Sequence, residues 1–170
     1  KIDFDFKLFF HEVWNKKDGF DVVIGNPPYV DSEEMVKNSP EYRKILSLIF
    51  ITTKGNWDLY IPFFEKSFNC LNQKGILSFI TPNKWLAIGY GKELRKFLKY
   101  NIFKIGNCNA IKVFDAGNSP FISFIAKENQ KSSFYIDSFD SNYNTRSTHT
   151  KSTIVKNYDE WGLLLGKNID

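Results

Sequence analysis

The spacing of apolar positions changes several times along the chain, and each change marks an element. Over residues 1–10, Ile2, Phe4, Phe6 and Leu8 alternate with polar neighbours, which predicts a half-buried strand. A Lys-Lys-Asp-Gly turn at residues 16–19 follows. Residues 20–25 then form a short apolar run with β-branched Val22, Val23 and Ile24, the pattern of a strand covered on both faces. Pro27 and Pro28 cannot donate to a ladder, so that strand ends before them. Residues 31–56 are polar and poorly periodic, and read as a long connection with a helical piece around residues 42–51. Connections of that length in compact domains are usually functional or mobile.

Residues 57–72 predict a helix whose apolar side is Leu59, Phe63, Phe64, Phe68 and Leu71. Asn56 or Asp58 is placed to cap it, and Pro62 falls near its start. Lys74-Gly75 ends this helix, and residues 76–81 predict a buried strand closed by Pro82. Residues 92–99 predict a short basic helix with Leu94, Phe97 and Leu98 facing inward. Further strands are expected at 102–107, 121–127 and 132–139, with residues 113–118 joining the first two. Residues 141–153, rich in Ser, Thr and Asn, read as a linker or exposed loop. The apolar patch at 161–165 needs a surface to pack against. There is no internal repeat, and the alternation of strands and helices predicts an α/β layer fold.

Composition supports one globular domain. The chain has 170 residues, of which 42% are hydrophobic and 17% aromatic, enough for a real core. Net charge is mild, 23 − 19 = +4, but its distribution is uneven. Lys84, Lys92, Arg95, Lys96, Lys99, Lys104 and Lys112 face a single acid, Glu93, in that stretch. Such a stretch could follow a phosphate backbone, or could simply be a solvated helix face. Cys70 and Cys108 sit in apolar segments and read as buried free thiols of a reducing compartment, hence a cytoplasmic location. His11 and His149 are isolated, so no metal site is expected. No apolar run reaches transmembrane length. The chain starts at Lys1 and its only methionine is Met35, so it is expected to be a piece of a longer protein.

The tetrapeptide Asn26-Pro27-Pro28-Tyr29, just past the carboxyl end of a predicted strand, carries the most specific chemistry. Open α/β sheets place their ligands at that edge. An exocyclic amine is a poor nucleophile because its lone pair is delocalised into the ring. Two acceptors binding both N–H protons pull the nitrogen towards tetrahedral geometry and free that pair. Asn26 offers its side-chain oxygen and Pro27 its carbonyl, while the two prolines hold both acceptors still. Tyr29 offers a face on which a flat base can stack. A bare rigid turn would also explain the prolines, but not the aromatic ring.

These residues resemble the DNA adenine-N6 methyltransferases of bifunctional restriction–modification (type IIG-like) enzymes. Residues 20–29 match that family's catalytic motif. Residues 58–66 (Asp-Leu-Tyr-Ile-Pro-Phe-Phe-Glu-Lys), 75–98 and 112–127 resemble the segments that follow it. The resemblance implies the C-terminal half of a Rossmann-like class I methyltransferase fold, a mixed sheet flanked by helices. It assigns residues 1–140 to the partial catalytic domain and 141–170 to a linker leading towards a recognition domain. It implies S-adenosyl-L-methionine as cofactor, with Gly25, Tyr60 and Phe63 on the cofactor side. Asn26, Pro27, Pro28 and Tyr29 would hold the target amine of an adenine flipped from double-stranded DNA. Phe114 would cover the other side of that base, with Lys84 and Lys112 nearby. For Phe63 and Phe114, plain core packing is the competing explanation.

The family's glycine-rich cofactor loop normally precedes the catalytic motif, and the 25 residues before Asn26 do not contain it. Gly89-Tyr90-Gly91 is a poor substitute, since it leads into a basic helix. The upstream half of the domain is therefore an expected partner, with recognition and nuclease domains elsewhere in the parent chain. Alone, this piece is expected to be inactive. Either residues 1–10 or a second chain is expected to cover the open edge of the strand at 20–25. Two other functions remain open. Protein glutamine-N5 methyltransferases use the same tetrapeptide, although residues 31–42 lack the acidic Glu-Pro segment usual there. A non-catalytic DNA-binding or assembly module would work through the basic stretch instead.

Overall fold

The computed structural model describes residues 5–111, 113, 120–128, 133–142, 144–151 and 161. Six strands form one mixed sheet in the order β1-β2-β4-β3-β5-β6. The strands are β1 (Phe20–Gly25), β2 (Leu71–Pro82), β3 (Ile102–Asn107), β4 (Pro120–Ala126), β5 (Ser133–Phe139) and β6 (Thr145–Lys151). β1 and β2 are parallel, as are β3 and β5, whereas β4 runs antiparallel to both of its neighbours.

The pleat sorts the core. Register puts Val23 beside Leu77 and Gly25 beside Phe79, and carries that face across to Ile125 and Ser123 of β4. Two helices serve this face, α5 (Tyr60–Asn69) and α6 (Lys92–Leu98). The Phe64 ring of α5 lies 5.2 Å from that of Phe79, and Phe68 meets Phe97 of α6 at 5.2 Å. Leu77, Phe64, Leu94, Leu98 and Ile125 are completely buried in the result.

The predicted strand at 1–10 is not found over its described part. Asp5 accepts the backbone N–H groups of Lys7 and Leu8 and starts a short helix, α1 (Phe6–Phe9), followed by α2 (His11–Lys17). Phe6, Phe10 and Trp14 recur every four residues, a helical period that outweighs the alternation. Their rings converge on Phe20 at 6.2, 5.3 and 5.0 Å. This cluster covers the start of β1 but adds no strand beside it, so β1 remains an edge of the sheet. The expected burial on both faces is also not met. Val22 and Ile24 are 60% and 77% exposed, because no described element covers their face.

The 31–56 connection holds two helices, α3 (Ser32–Asn38) and α4 (Pro40–Ile49). Arg43 of α4 stacks 4.1 Å from the Trp57 ring centroid and donates to the carbonyls of Gly55 and Trp57. The buried Glu65 accepts from the Ile51 N–H, the Thr52 N–H and the Thr52 hydroxyl. These bonds fasten the connection onto α5.

Thr145–Lys151, read from sequence as linker, is instead strand β6, paired antiparallel to β5. The Asp140 carboxylate closes the turn by accepting from Asn142 N–H, Asn144 N–H and the Asn144 amide. Trp161 is fully buried with its ring 5.8 Å from that of Trp85, so the start of the 161–165 patch does find its surface. Cys70 and Cys108 are buried free thiols, and burial pushes both pKa values up. No helix among the described residues is long and apolar enough to cross a membrane.

Candidate active site

Because β1, β2 and β3 share a direction and β4 opposes them, one sheet edge collects four chain segments. Gly25 pairs with Phe79, Pro82 with Pro120, and Asn107 with Phe121. The carboxyl ends of β1, β2 and β3 and the amino end of β4 therefore meet at this edge. The tetrapeptide leaves β1 here, beside the last residues of β2.

Tyr29 anchors it. Its hydroxyl donates to the Ile80 carbonyl at 2.9 Å, and its ring meets Tyr60 edge-on at 6.4 Å. Burial raises the Tyr29 phenol to about 12, so it remains a neutral donor at physiological pH. Pro27 is buried, while Asn26 and Pro28 are exposed. The Asn26 side chain makes no hydrogen bond among the described residues. A Cβ at Gly25 would lie 3.0 Å from the Phe79 ring, so any larger residue there would have to shift that ring.

Behind the turn lies a hydrogen-bonded group that sequence reading missed. Asp58 does not cap α5, whose N-cap is Leu59 without a side-chain bond. Its Oδ1 accepts the Ser32 N–H at 3.2 Å and its Oδ2 accepts the Tyr90 hydroxyl at 2.7 Å. The Tyr60 and Tyr90 hydroxyls are 2.7 Å apart. Burial pushes both of these tyrosine pKa values above the ordinary range.

The remaining candidates are placed as follows. Lys84 is exposed on the 3-10 turn Asn83–Leu86 that follows β2, at the same edge as the tetrapeptide. Tyr60 is only 1% exposed and reaches Tyr29 through its ring edge. Phe63 is 38% exposed and opens into an apolar pocket of about 310 Å³ between α4 and α5, with Tyr42, Leu46, Phe50 and Pro62. None of those residues belongs to the Asn26–Tyr29 turn. Lys112 and Phe114 lie outside the described residues, although Asn107 and Pro120, which flank their segment, stand at the shared edge.

The basic stretch is only partly a surface. Arg95 is 3% exposed and donates to the carbonyls of Trp85 at 2.6 Å and Ile88 at 3.0 Å. It ties α6 to the preceding turns and cannot reach a phosphate. Lys104 is ion-paired with Asp137 of β5. Lys84, Lys92 and Lys96 are exposed.

Sheet order, the antiparallel strand next to β2 and the turn beyond β1 define part of a class I S-adenosylmethionine-dependent methyltransferase fold. A putative enzyme of that class from Listeria monocytogenes superposes on 83% of this chain and 43% of its own (TM-score 0.55, 18% identity). The type IIG restriction endonuclease BpuSI covers 85% of this chain and 21% of its own (TM-score 0.63, 15% identity). The chain belongs to the Eco57I restriction-modification methylase family, which matches residues 1–120. It is 33% identical over 120 residues to the type II restriction enzyme and methyltransferase RM.Eco57I of Escherichia coli, covering 68% of this chain and 12% of that protein. It is 40% identical over 86 residues to the type II methyltransferase M.BstVI of Geobacillus stearothermophilus, covering 48% of this chain and 14% of that one.

Proposed function

We propose that this chain supplies the amine-acceptor half of a DNA methyltransferase acting on adenine N6 within a restriction–modification enzyme. The observation that carries the reading is the Asn26–Tyr29 turn. It follows the carboxyl end of β1, the edge at which open α/β sheets generally bind ligands, and is pinned by Tyr29 to Ile80 with Asn26 exposed.

In this reading the Asn26 side-chain oxygen and the Pro27 carbonyl each accept a hydrogen bond from one N6–H of the target amine. That localises the nitrogen lone pair for attack. Tyr29 stacks on the flipped base, held in plane by its bond to Ile80. Phe114 covers the second face, and Lys84 with Lys112 contacts phosphate near the flipped nucleotide. S-adenosylmethionine, when bound, supplies the electrophilic methyl group.

The chain's own residues fit one end of that cofactor. The Phe63 ring and its apolar pocket suit a flat adenine ring, but Lys66 is the pocket's one charged lining residue among those described. Among the described lining residues there is no acid for ribose hydroxyls. We assign the base end to Phe63 and the ribose and methionine ends to the rest of the methyltransferase domain, including a glycine-rich loop. Phe63→Ala is expected to raise the KM for S-adenosylmethionine about five-fold, as lost stacking of about 1 kcal/mol would, with the KM for DNA unchanged. Steady-state kinetics on the full-length protein checks this.

The test of the function is transfer of labelled methyl groups by the full-length protein to duplex DNA, followed by nucleoside analysis. N6-methyladenine is the expected product. Label on a protein glutamine would favour the glutamine-N5 alternative. A second comparison separates catalysis from mere DNA binding. Tyr29→Ala is expected to lower kcat about 10²-fold with little change in DNA affinity. The double change Lys96→Glu, Lys99→Glu is expected to weaken DNA binding and flatten its salt dependence by about two units of slope. A binding module would instead lose DNA through the lysine changes and show no methylation for Tyr29→Ala to impair.

A further inference from the structure

Resting on the methyltransferase reading above, we infer that Asp58 is a positioning residue. Its carboxylate, with Tyr90, holds the segment after Tyr29 and so fixes the acceptor turn for the transfer step.

A carboxylate just before a helix ordinarily caps it. Asp58 does not, and α5 starts without a side-chain cap. Both oxygens go to partners distant in sequence. One accepts the N–H of Ser32, 26 positions away, and the other accepts the hydroxyl of Tyr90, 32 positions away. Ser32 opens α3 and lies three residues beyond Tyr29. The adjacent Leu59 N–H donates to the Val30 carbonyl at 2.9 Å. Consecutive residues of one segment thus hold both Val30 and Ser32, leaving little freedom to the turn they follow.

The clamp is itself held. On one side Arg43 stacks on Trp57 and bonds its carbonyl, which fixes the residue before Asp58. On the other side Tyr60 bonds Tyr90 and meets the Tyr29 ring edge-on. Tyr29 is therefore located from three directions: by Ile80 through its hydroxyl, by Tyr60 against its ring, and by Asp58 through the backbone that follows it. Acceptors aimed at a developing charge work only if they do not move, and errors of about 1 Å cost on the order of 10²-fold in rate. A carboxylate diverted from capping to hold this backbone meets that requirement. Charge also strengthens both of its hydrogen bonds beyond what a neutral acceptor would give.

The experiment compares Asp58→Ala, Asp58→Asn and Tyr90→Phe in the full-length protein by steady-state kinetics, thermal melting and amide hydrogen exchange. Asp58→Ala is expected to lower kcat about 10- to 100-fold while the KM for DNA stays within about three-fold. Exchange at Ser32 is expected to speed up, with the amides of β2 and β4 unchanged. Asp58→Asn should recover most of kcat, because its oxygen can accept from Ser32 and its amide can donate to the Tyr90 oxygen. Tyr90→Phe, which removes one hydroxyl and keeps the ring, should lower kcat about three- to ten-fold even if Asp58→Ala proves too unstable to assay. Three results would overturn the inference: kcat within about two-fold of wild type in these variants, loss of kcat only in proportion to unfolded protein, or Asn no better than Ala. If the wild-type protein methylates no DNA, the proposed function fails on its own. The clamp is then judged by exchange, and unchanged protection of Ser32 in Asp58→Ala would reject it.

Discussion

Replacing Asn26 with alanine is expected to lower kcat for methyl transfer by about 10²- to 10³-fold, the cost of removing one preorganised polar group from a reacting centre. The magnitude follows from where the side chain stands. Asn26 is exposed, so its removal opens no cavity and leaves no buried partner unsatisfied. Melting temperature should therefore stay within about 1 °C of wild type, as for other exposed substitutions. DNA affinity should also hold, because phosphate contacts dominate it. The loss falls on the step in which the nitrogen lone pair must leave the ring, which is a kcat effect. Asn26→Asp keeps an acceptor oxygen in place and should retain more activity than alanine. The check is single-turnover transfer of labelled methyl groups to a duplex by each variant of the full-length protein. An alanine variant within ten-fold of wild type would remove Asn26 from the mechanism.

Tyr29→Phe provides the complementary measurement. It keeps the stacking face and deletes the bond to the Ile80 carbonyl. If that bond only orients the ring, the phenylalanine variant should fall well above both Asn26→Ala and Tyr29→Ala. The high phenol pKa rules out an alternative role, since a group pushed up to about 12 by burial is not an anionic base near neutrality.

What could be read from the sequence was whatever is contiguous. The ends of β1 and β2 are punctuated by Pro27, Pro28 and Pro82, whose missing N–H groups stop a ladder regardless of tertiary context. The tetrapeptide is four neighbouring residues, so its chemistry survives without a fold. The helices at 6–17 were hidden because the alternation of Ile2, Phe4, Phe6 and Leu8 masks the four-residue recurrence of Phe6, Phe10 and Trp14. That recurrence makes sense only with Phe20 as the common target. Strand β6 was missed because Thr145, Arg146, Ser147, Thr148, His149 and Thr150 are polar on both faces, leaving no period to detect.

The site shows the same division. Asp58 before α5 carries the sequence signature of a helix cap, and only the fold shows its carboxylate turned to Ser32 and Tyr90. Arg95 sits among lysines on a short helix and reads as surface charge. Its burial depends on the carbonyls of Trp85 and Ile88, which its own helix does not provide. Removing Arg95 and Lys104 from the basic stretch narrows the candidate phosphate contacts to the exposed lysines, Lys84 foremost among them by its position at the site edge.

Gly91→Ala is expected to destabilise the protein by about 3 kcal/mol, the upper range for overpacking, and to lower its melting temperature by roughly 6–12 °C. An added Cβ would lie 1.9 Å from the Trp85 carbonyl oxygen, 2.6 Å from its carbon and 2.7 Å from its Cα. All three are backbone atoms, so no side chain can rotate out of the way. Trp85 itself cannot retreat. Its indole N–H donates to the Thr81 hydroxyl, its ring packs between Phe64 and Trp161, and its carbonyl accepts from Arg95. The backbone at residue 91 must give instead, which disturbs the adjacent Tyr90 and its bond to Asp58. Methyl transfer should therefore fall even in the folded fraction of Gly91→Ala. Gly89→Ala is the control, because nothing stands within 4 Å of its added Cβ. The pair also decides why Gly89-Tyr90-Gly91 is glycine-rich. Packing against Trp85 predicts a large melting shift for Gly91→Ala and almost none for Gly89→Ala, with the KM for S-adenosylmethionine unchanged in the latter. A cofactor loop predicts the opposite: both variants would melt like wild type, and both would raise that KM.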